Sequence, residues 1–350
     1  TFDVSAGVKL INLVLHDCSQ GVGFWTAAVD AEAHGNLIYY NGFQGEKRGH
    51  GHGIYVQNRD GVKTIGDNII FGQFGLGVQA YGSGSAWVEN IAMDGNIVFN
   101  NGSLSAGAKL VDNILFAGGA GVRNVTLTNN YTWHDPDRND GYSRLGWPWS
   151  DVNDNVAARD NYWIGGYSTL EFWNWNSVAF TGNTLYGQDQ LFLSLRLLEN
   201  QSASGYEWDN NRYYGSGRFR FGSSNESWGG WQSATGLDPN SSYTPGAPAG
   251  VWVFVRPNKY EAGRANIAVY NWERQGAVDV DLSSVLQPGA PFEIRDAQNF
   301  FGDPVAGGTY GGGTVSIPIA GLACASAAGS VPSPARHTDE RFGAFVVLPR

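Results

Sequence analysis

The segment at residues 48–53 carries the residue types that acid–base or metal chemistry requires, in the order RGHGHG. Histidine titrates near neutral pH and also binds metals. Two histidines separated by one residue face the same way on an extended chain. Strict alternation from Ile54 would aim both inward, so the glycines must form a turn for the pair to reach a ligand. We expect His50 and His52 to be catalytic, with Arg48 binding substrate; a polar turn stacked on its neighbours is the structural alternative.

Carboxylates are the second group of candidate catalytic residues. Hydrolysis of a glycosidic bond uses two of them, about 5–5.5 Å apart in retaining enzymes and about 6.5–9.5 Å apart in inverting enzymes. Glu171 is the first candidate, because its aromatic neighbours Phe172 and Trp173 would raise its pKa by excluding water. Asp17 and Glu32 precede the histidines and are expected to lie near them. The aspartate-rich loop 134–140 is either a further source of carboxylates, a calcium site or a solvated turn.

Aromatic and amide side chains recur in short segments that read as strands. Several of these segments begin with a glycine or serine and continue with alternating apolar residues, as at 53–57, 77–81 and 168–173. Alternation along a strand sends every second side chain outward. The residues predicted to form this outward stripe, and to bind a sugar chain together with Glu171, are Trp25, Tyr55, Gln57, Gln79, Tyr81 and Trp173. Packing beneath the long 131–160 segment is the alternative role for these aromatics.

The elements that would position these residues follow from an internal repeat. Apolar residues at alternate positions are followed by an Asn, and in six of seven copies an aromatic residue comes three positions later. The repeated asparagines are Asn36, Asn68, Asn96, Asn130, Asn161, Asn183 and Asn211, spaced 22 to 34 residues apart. A coil of three short strands needs a little over twenty residues, and longer spacings accommodate loops. Asn at a repeated turn favours a left-handed conformation and a hydrogen-bonded ladder. The repeat predicts a parallel β-helix over residues 1–215.

Residues 251–350 contain six short apolar strands separated by turn signals, which predict a small antiparallel β-sandwich. The Gly-, Ser- and Pro-rich stretch 216–250 between them is predicted to be a linker or wrapping loop. Cys18 and Cys324 fall in different predicted domains; two buried free thiols are expected, with a disulfide as the alternative. The predicted fold class is therefore all-β.

Composition narrows the functional classes. The net charge is −10 and only five lysines occur, which argues against nucleic acid as a partner. No apolar run is long enough to span a membrane. No phosphate-binding loop, dinucleotide fingerprint or nucleophile elbow occurs. No cofactor is required by these patterns, although a calcium ion or a His-bound divalent metal remains an alternative.

The first 215 residues resemble bacterial right-handed parallel β-helix repeat proteins of the pectate-lyase-like and polygalacturonase-like superfamily. The segment 51–54, Gly-His-Gly-Ile, is similar to the Gly-His-Gly motif of polygalacturonase-like hydrolases, in which the histidine is catalytic. The acidic motifs that precede it in that family are missing here. The last 100 residues resemble the accessory β-sandwich behind many glycoside hydrolases, especially at 269–272 and 292–296.

These resemblances imply a secreted or periplasmic enzyme that cleaves a polysaccharide. Hydrolysis is the first expectation, and the low lysine count favours a neutral glycan over a uronate. A polysaccharide lyase is the alternative enzyme, with Arg48, His50, His52 and Tyr55 neutralising a carboxylate and removing a proton. A non-catalytic glycan-binding or adhesive protein is the third. The sequence leaves the sugar, the linkage, the metal requirement and the oligomeric state open.

Overall fold

The protein is all-β, with three long parallel sheets and a separate antiparallel sheet. The structure is a computed structural model, and it describes residues 5–148, 151–188 and 191–350. The chain passes through the first, second and third parallel sheets in turn, and each strand pairs with a strand one pass further along. We call one such pass a coil. This arrangement is consistent with the predicted parallel β-helix.

The three parallel sheets are built from short strands. The first sheet contains Lys9–Ile11, Glu32–His34, Lys63–Gly66, Val88–Asp94, Val122–Thr128, Asp154–Arg159, Val178–Thr181 and Glu207–Asp209. The second contains Val14–His16, Leu37–Tyr39, Ile69–Phe71, Ile97–Phe99, Tyr131–Trp133, Tyr162–Ile164, Thr184–Gly187, Arg212–Gly215 and Ser242–Thr244. The third contains Val22–Phe24, Ile54–Val56, Val78–Gly82, Asp112–Gly118, Tyr142–Leu145, Ser168–Trp173, Leu191–Arg196, Arg218–Phe221 and the antiparallel Ser224–Glu226. Their inward side chains form one continuous apolar core.

The repeated asparagines stack at the turn between the first and second sheets, as predicted. All seven are buried, and from Asn68 onward each side-chain oxygen accepts hydrogen bonds from the backbone N–H and the side-chain amide of the preceding copy. The side-chain distances along the ladder run from 2.8 to 3.2 Å. The left-handed residue is the one before the Asn, such as Gly35, Asp67 or Asn129, rather than the Asn itself. A buried amide in every coil must be hydrogen-bonded to avoid a large desolvation cost, and stacking in register provides the partner.

The aromatic residues that follow the asparagines point outward from the second sheet. His16, Tyr39, Phe71 and Phe99 stack on successive strands, with ring centroids 4.8 to 5.1 Å apart. The antiparallel sheet of the C-terminal region packs on this face, where Phe342 stacks on the next aromatic of the series. The outer face of the second sheet is therefore an interdomain interface.

The C-terminal region folds around its own core. Its five-stranded antiparallel sheet contains, in order, Val251–Pro257, Ala265–Asn271, Phe342–Pro349, Pro291–Asp296 and Ala306–Thr309. A second antiparallel pair contains Ala277–Asp281 and Thr314–Pro318. A short antiparallel hairpin, Phe43–Gln44 with Gly49–His50, projects from the parallel part, and single 3₁₀ turns lie at Ala106–Ala108 and Ala297–Asn299.

The segment 216–250, expected to be a linker or wrapping loop, extends the second and third sheets and contains the helix Trp228–Thr235. The Ser227 side chain caps the start of this helix, and Gly236 ends it in a left-handed conformation. Trp231 packs against the apolar core and donates a hydrogen bond to Asp238. The helix therefore packs against the last coils, which the glycine-rich composition does not reveal.

Both cysteines are free thiols, but neither is buried as expected: Cys18 is exposed and Cys324 is half-buried. Among the helices that the structure describes, none is long and apolar enough to cross a membrane.

Candidate functional site

The outer face of the third sheet presents a continuous row of side chains. The strand register places Tyr55, Gln79, Leu115, Arg144, Glu171, Ser194 and Arg220 side by side on seven successive strands. The residues flanking Glu171 in its strand, Leu170 and Phe172, are fully buried in the core, which fixes the direction of the row. A neighbouring row places Trp173 next to Arg196. We call this surface the third-sheet face.

Two carboxylates on the third-sheet face flank one guanidinium group. Arg144 Nε lies 3.0 Å from Asp112 Oδ1 and 4.0 Å from Glu171 Oε2. These contacts limit the separation of the two carboxylate oxygens to about 7 Å, which includes both the retaining and part of the inverting range. All three side chains are largely buried, with 7 to 14% of their surface exposed. We call them the carboxylate pair and its arginine.

Burial raises the pKa of Asp112. Loss of solvent raises its pKa from 3.8 to about 6, against the attraction of Arg144 and with added repulsion from Glu171. The buried Asp112 Oδ1 has no well-aligned hydrogen-bond donor in the described part of the chain. A carboxyl group with a pKa of about 6 is partly protonated in weakly acidic solution.

Aromatic rings fix the arginine and the second carboxylate. The Arg144 guanidinium lies 4.1 Å from the ring centroid of Tyr142 and 4.6 Å from that of Trp147. Trp173 Nε1 donates a 2.9 Å hydrogen bond to Glu171 Oε2. Arg196 lies over the Trp173 ring at 4.6 Å. Such cation–π contacts and the indole hydrogen bond hold the polar groups in place before any ligand binds.

A second group of sequence-predicted residues gathers on the first coils of the same face. Trp25 and His52 each lie beside the Tyr55 ring, at 5.2 and 5.3 Å between centroids. The Tyr55 hydroxyl and the Gln57 amide both donate to the Tyr81 carbonyl. Trp25 is 37% exposed. We call this group, with Gln79 beside it, the aromatic platform.

The histidines differ in environment. His52 is half-buried, and its Nδ1 donates a 3.2 Å hydrogen bond to Gln20 Oε1. Burial and the nearby positive charge of Arg48 lower its pKa to about 4, against a hydrogen bond to Gln79 that raises it. His50 lies in the hairpin and stacks on Phe43 at 5.3 Å. His52 is therefore a neutral imidazole at pH 7.

The expected single site does not form. Glu171 lies four strands from Tyr55, which is about 19 Å at the spacing of a β-sheet. Glu32 lies on the first sheet, where Lys259 Nζ at 2.9 Å and the Tyr260 hydroxyl at 2.6 Å hold it. Burial raises the pKa of Glu32, but the hydrogen bonds from Tyr260, Lys259 and Lys9 outweigh this and lower it to about 2.

Asp17 also belongs to the interdomain contact. Its carboxylate lies 2.6 Å from His16 Nδ1 and accepts a 2.7 Å hydrogen bond from the backbone of Ala328. Proximity in sequence to the histidines did not bring Asp17 and Glu32 to them, because one coil has three outer faces and only one of them carries the aromatic platform. These two carboxylates are interface residues.

The aspartates of the loop 134–140 are paired with arginines. Arg341 of the C-terminal sheet contacts Asp135 at 2.7 Å and Asp137 at 2.9 Å, and Arg138 contacts Asp140. Within the described ranges, no three His, Cys, Asp or Glu side chains gather closely enough to hold a metal ion. The loop therefore carries interdomain ion pairs in place of the expected calcium alternative.

The sequence analysis does not single out Arg144 because it treats residues 131–160 as one long segment; Asp112 lies outside that segment, at the start of the strand Asp112–Gly118. The segment 142–145 is in fact a strand of the third sheet, with Ser143 and Leu145 buried and Arg144 between them. The alternation in that four-residue strand is the signal that would have identified Arg144.

No model of a known protein family matches the sequence, and a search of curated proteins finds no significant match.

Proposed function

We propose that this protein is a glycoside hydrolase that cleaves a long polysaccharide bound along the third-sheet face. The observation that carries the proposal is the carboxylate pair: Asp112 and Glu171 both lie within 4.0 Å of Arg144, and Trp173 donates a hydrogen bond to Glu171 on the third-sheet face. Hydrolysis of a glycosidic bond requires two carboxyl groups with different roles. The two environments here differ in the way that those roles require.

Asp112 is assigned the role of general acid. Its raised pKa of about 6 keeps a substantial fraction protonated in weakly acidic solution, so it can donate a proton to the leaving glycosidic oxygen. Glu171 supplies the second carboxylate, either as the nucleophile or as the base that activates water. Trp173 orients Glu171 and offers a flat apolar ring to a sugar. Arg144 holds the two carboxyl groups on one cation.

The aromatic platform would bind the same glycan at a distance from the reaction. The separation of about 19 Å between Tyr55 and Glu171 suits an extended chain of several sugars lying across the strands. Stacking of a sugar on rings such as Trp25 contributes binding energy that does not depend on the charge of the sugar. This supports an open groove and a polymer, rather than a small molecule, as the substrate.

We infer a right-handed parallel β-helix of the pectate-lyase-like and polygalacturonase-like superfamily, followed by a glycoside-hydrolase-type β-sandwich. The three parallel sheets and the asparagine ladder support the first part. A polymeric substrate implies a secreted or periplasmic location.

A polysaccharide lyase is the second candidate, and one observation favours it. Arg196 and Arg220 lie on adjacent strands of the third-sheet face and Arg144 lies two strands from Arg196, so the three could neutralise a uronate carboxylate. Burial and the neighbouring Arg220 lower the pKa of Arg196. A non-catalytic glycan-binding protein is the third candidate, in which the same rings bind without turnover.

A panel of plant, algal and microbial polysaccharides separates the three. Hydrolysis would release reducing ends without new ultraviolet absorbance, whereas a lyase would create an unsaturated sugar that absorbs. Glu171→Gln should reduce the rate at least about 10³-fold through loss of an essential group, whereas the exposed Glu207→Gln on the first sheet should retain full activity. Absorbing products would replace hydrolysis by the lyase. Tight binding with neither product would leave only the glycan-binding role.

A further inference from the structure

A lysine side chain lies in the core that the three parallel sheets enclose. Lys63 is the first residue of the strand Lys63–Gly66 and has no exposed surface. Strand pairing places it beside Ile91, and the same inward position on the following strands is occupied by Val125, Val156 and Val178. One coil therefore has an amine where the following coils have an apolar side chain. Lysine is almost never fully buried unless it is paired, so the partners of this amine matter.

Two backbone carbonyls of the aromatic platform accept hydrogen bonds from the buried amine. Lys63 Nζ donates to Trp25 O and to Gln57 O, at 2.5 Å each. Trp25 and Gln57 directly follow Phe24 and Val56, which pair with each other at the ends of adjacent strands of the third sheet. The amine therefore joins two successive coils at the point where the chain leaves the third sheet for the first. The backbones of two platform residues depend on this one side chain.

Carbonyl oxygens, and not a carboxylate, are the partners of Lys63. Within the described ranges, burial is the only resolved influence on the pKa of Lys63, which it lowers from 10.5 to about 8. Glu32, on the adjacent strand, faces the outer side of the first sheet, where Lys259 holds it. The other charged side chains on the neighbouring turns and strand are at least partly exposed: Asp30, Arg59, Asp60 and Glu89. No ion pair of these residues includes the Lys63 amine.

The strength of the two hydrogen bonds depends on the proton that Lys63 carries. An ammonium group donates charge-assisted hydrogen bonds, which are roughly twice as strong as those between neutral groups. A neutral amine donates more weakly, and burial keeps water from replacing it at the two carbonyls. His52 of the platform titrates near 4, and burial raises the pKa of Tyr55 above its ordinary value of 10.0. Of these three groups, only Lys63 changes charge in weakly alkaline solution.

We propose that Lys63 is a positioning residue that makes the aromatic platform sensitive to alkaline pH. Its ammonium group holds the Trp25 and Gln57 backbones together, and loss of the proton weakens both contacts and loosens the turn that carries the Trp25 ring. The platform is then less ordered on its first coil. The consequence for a bound glycan, weaker stacking in alkaline solution, rests on the proposed function; the change in the platform itself does not.

Fluorine NMR of the full chain, labelled with fluorinated tryptophan, tests the proposal without any ligand. The Trp25 signal is assigned by its loss in Trp25→Phe and is followed from about pH 6 to about pH 10, a range that contains the titration of a buried lysine. Trp163, which is fully buried in the core, is assigned in the same way and serves as the internal reference. The test variant is Lys63→Met, which keeps an unbranched side chain without the charge. The control is Lys47→Met, at an exposed lysine.

The Trp25 signal should shift through a single transition centred near pH 8, and the Trp163 signal should stay in place. Lys63→Met should remove the transition, whereas Lys47→Met should retain it. Equal behaviour of the Trp25 and Trp163 signals in the unchanged protein would overturn the proposal, even if Lys63→Met does not fold. A Trp25 transition that survives in Lys63→Met would also overturn it. Because no glycan is present, a failure of the hydrolase proposal would not produce either outcome.

Discussion

Replacing Asp112 by Asn should make the protein more stable at alkaline pH and less active at every pH. An Asp whose pKa is about 6 in the folded protein and 3.8 when unfolded binds its proton more tightly in the folded state. The charged form therefore destabilises the fold. This cost is absent below pH 3.8, grows as the pH rises towards 6, and is then constant.

The magnitude follows from the two pKa values. The linkage between proton binding and folding predicts that ionisation of Asp112 lowers the free energy of unfolding by about 1 kcal/mol at pH 4.5 and by about 3 kcal/mol at pH 8. The free energy of unfolding of Asp112→Asn, minus that of the unchanged protein, should therefore rise by about 2 kcal/mol between these pH values. A constant difference in hydrogen bonding between Asn and protonated Asp cancels in this comparison.

Urea unfolding followed by circular dichroism at both pH values measures the difference, and turnover on the preferred polysaccharide is measured in parallel. The exposed Asp60→Asn serves as a control and should change stability by less than about 0.5 kcal/mol at either pH. A stability difference for Asp112→Asn that does not depend on pH would refute the raised pKa. A variant that gains stability but keeps full activity would refute the role of Asp112 as the acid.

Three further outcomes are expected. Trp173→Ala should weaken binding of an oligosaccharide by about 1–3 kcal/mol, as loss of a stacked ring does, with little change in the melting temperature. Unchanged affinity would show that Trp173 does not contact the sugar. Asn130→Ala should lower the free energy of urea unfolding by about 3–5 kcal/mol because it leaves buried amides unpaired. Asn155→Gly, at an exposed left-handed position of the strand Asp154–Arg159, should cost less than about 1 kcal/mol; equal effects would contradict a stabilising ladder. Glu32→Gln should cost about 1–3 kcal/mol at pH 7 through loss of the charge that Tyr260, Lys259 and Lys9 stabilise. This loss should shrink as the pH falls below 4.5 and vanish near 2; a loss that persists in acid would show that the charge of Glu32 is not responsible.

The local sequence pattern was sufficient to predict the asparagine ladder and the direction of the side chains on the strands. The asparagine ladder could be predicted because each copy occupies the same place in a repeated turn, and burial demands a partner for every amide. The outward direction of Tyr55, Gln79 and Glu171 followed from strand alternation alone, since Ile54, Val78 and Leu170 must enter the core. These features depend on residues within a few positions of one another.

The composition of the site depended on contacts that sequence spacing does not encode. Arg144 pairs with Glu171 in the strand register, whereas Asp112 pairs with Tyr142 and reaches Arg144 across a register shift. Glu32 looked equally suited to catalysis, but docking of the C-terminal sheet gave it Lys259 and Tyr260 as partners. Alternation along a strand determines whether a side chain faces inward or outward. Only the folded coil determines on which of the three sheets an outward side chain lies, and therefore which charged groups surround that side chain.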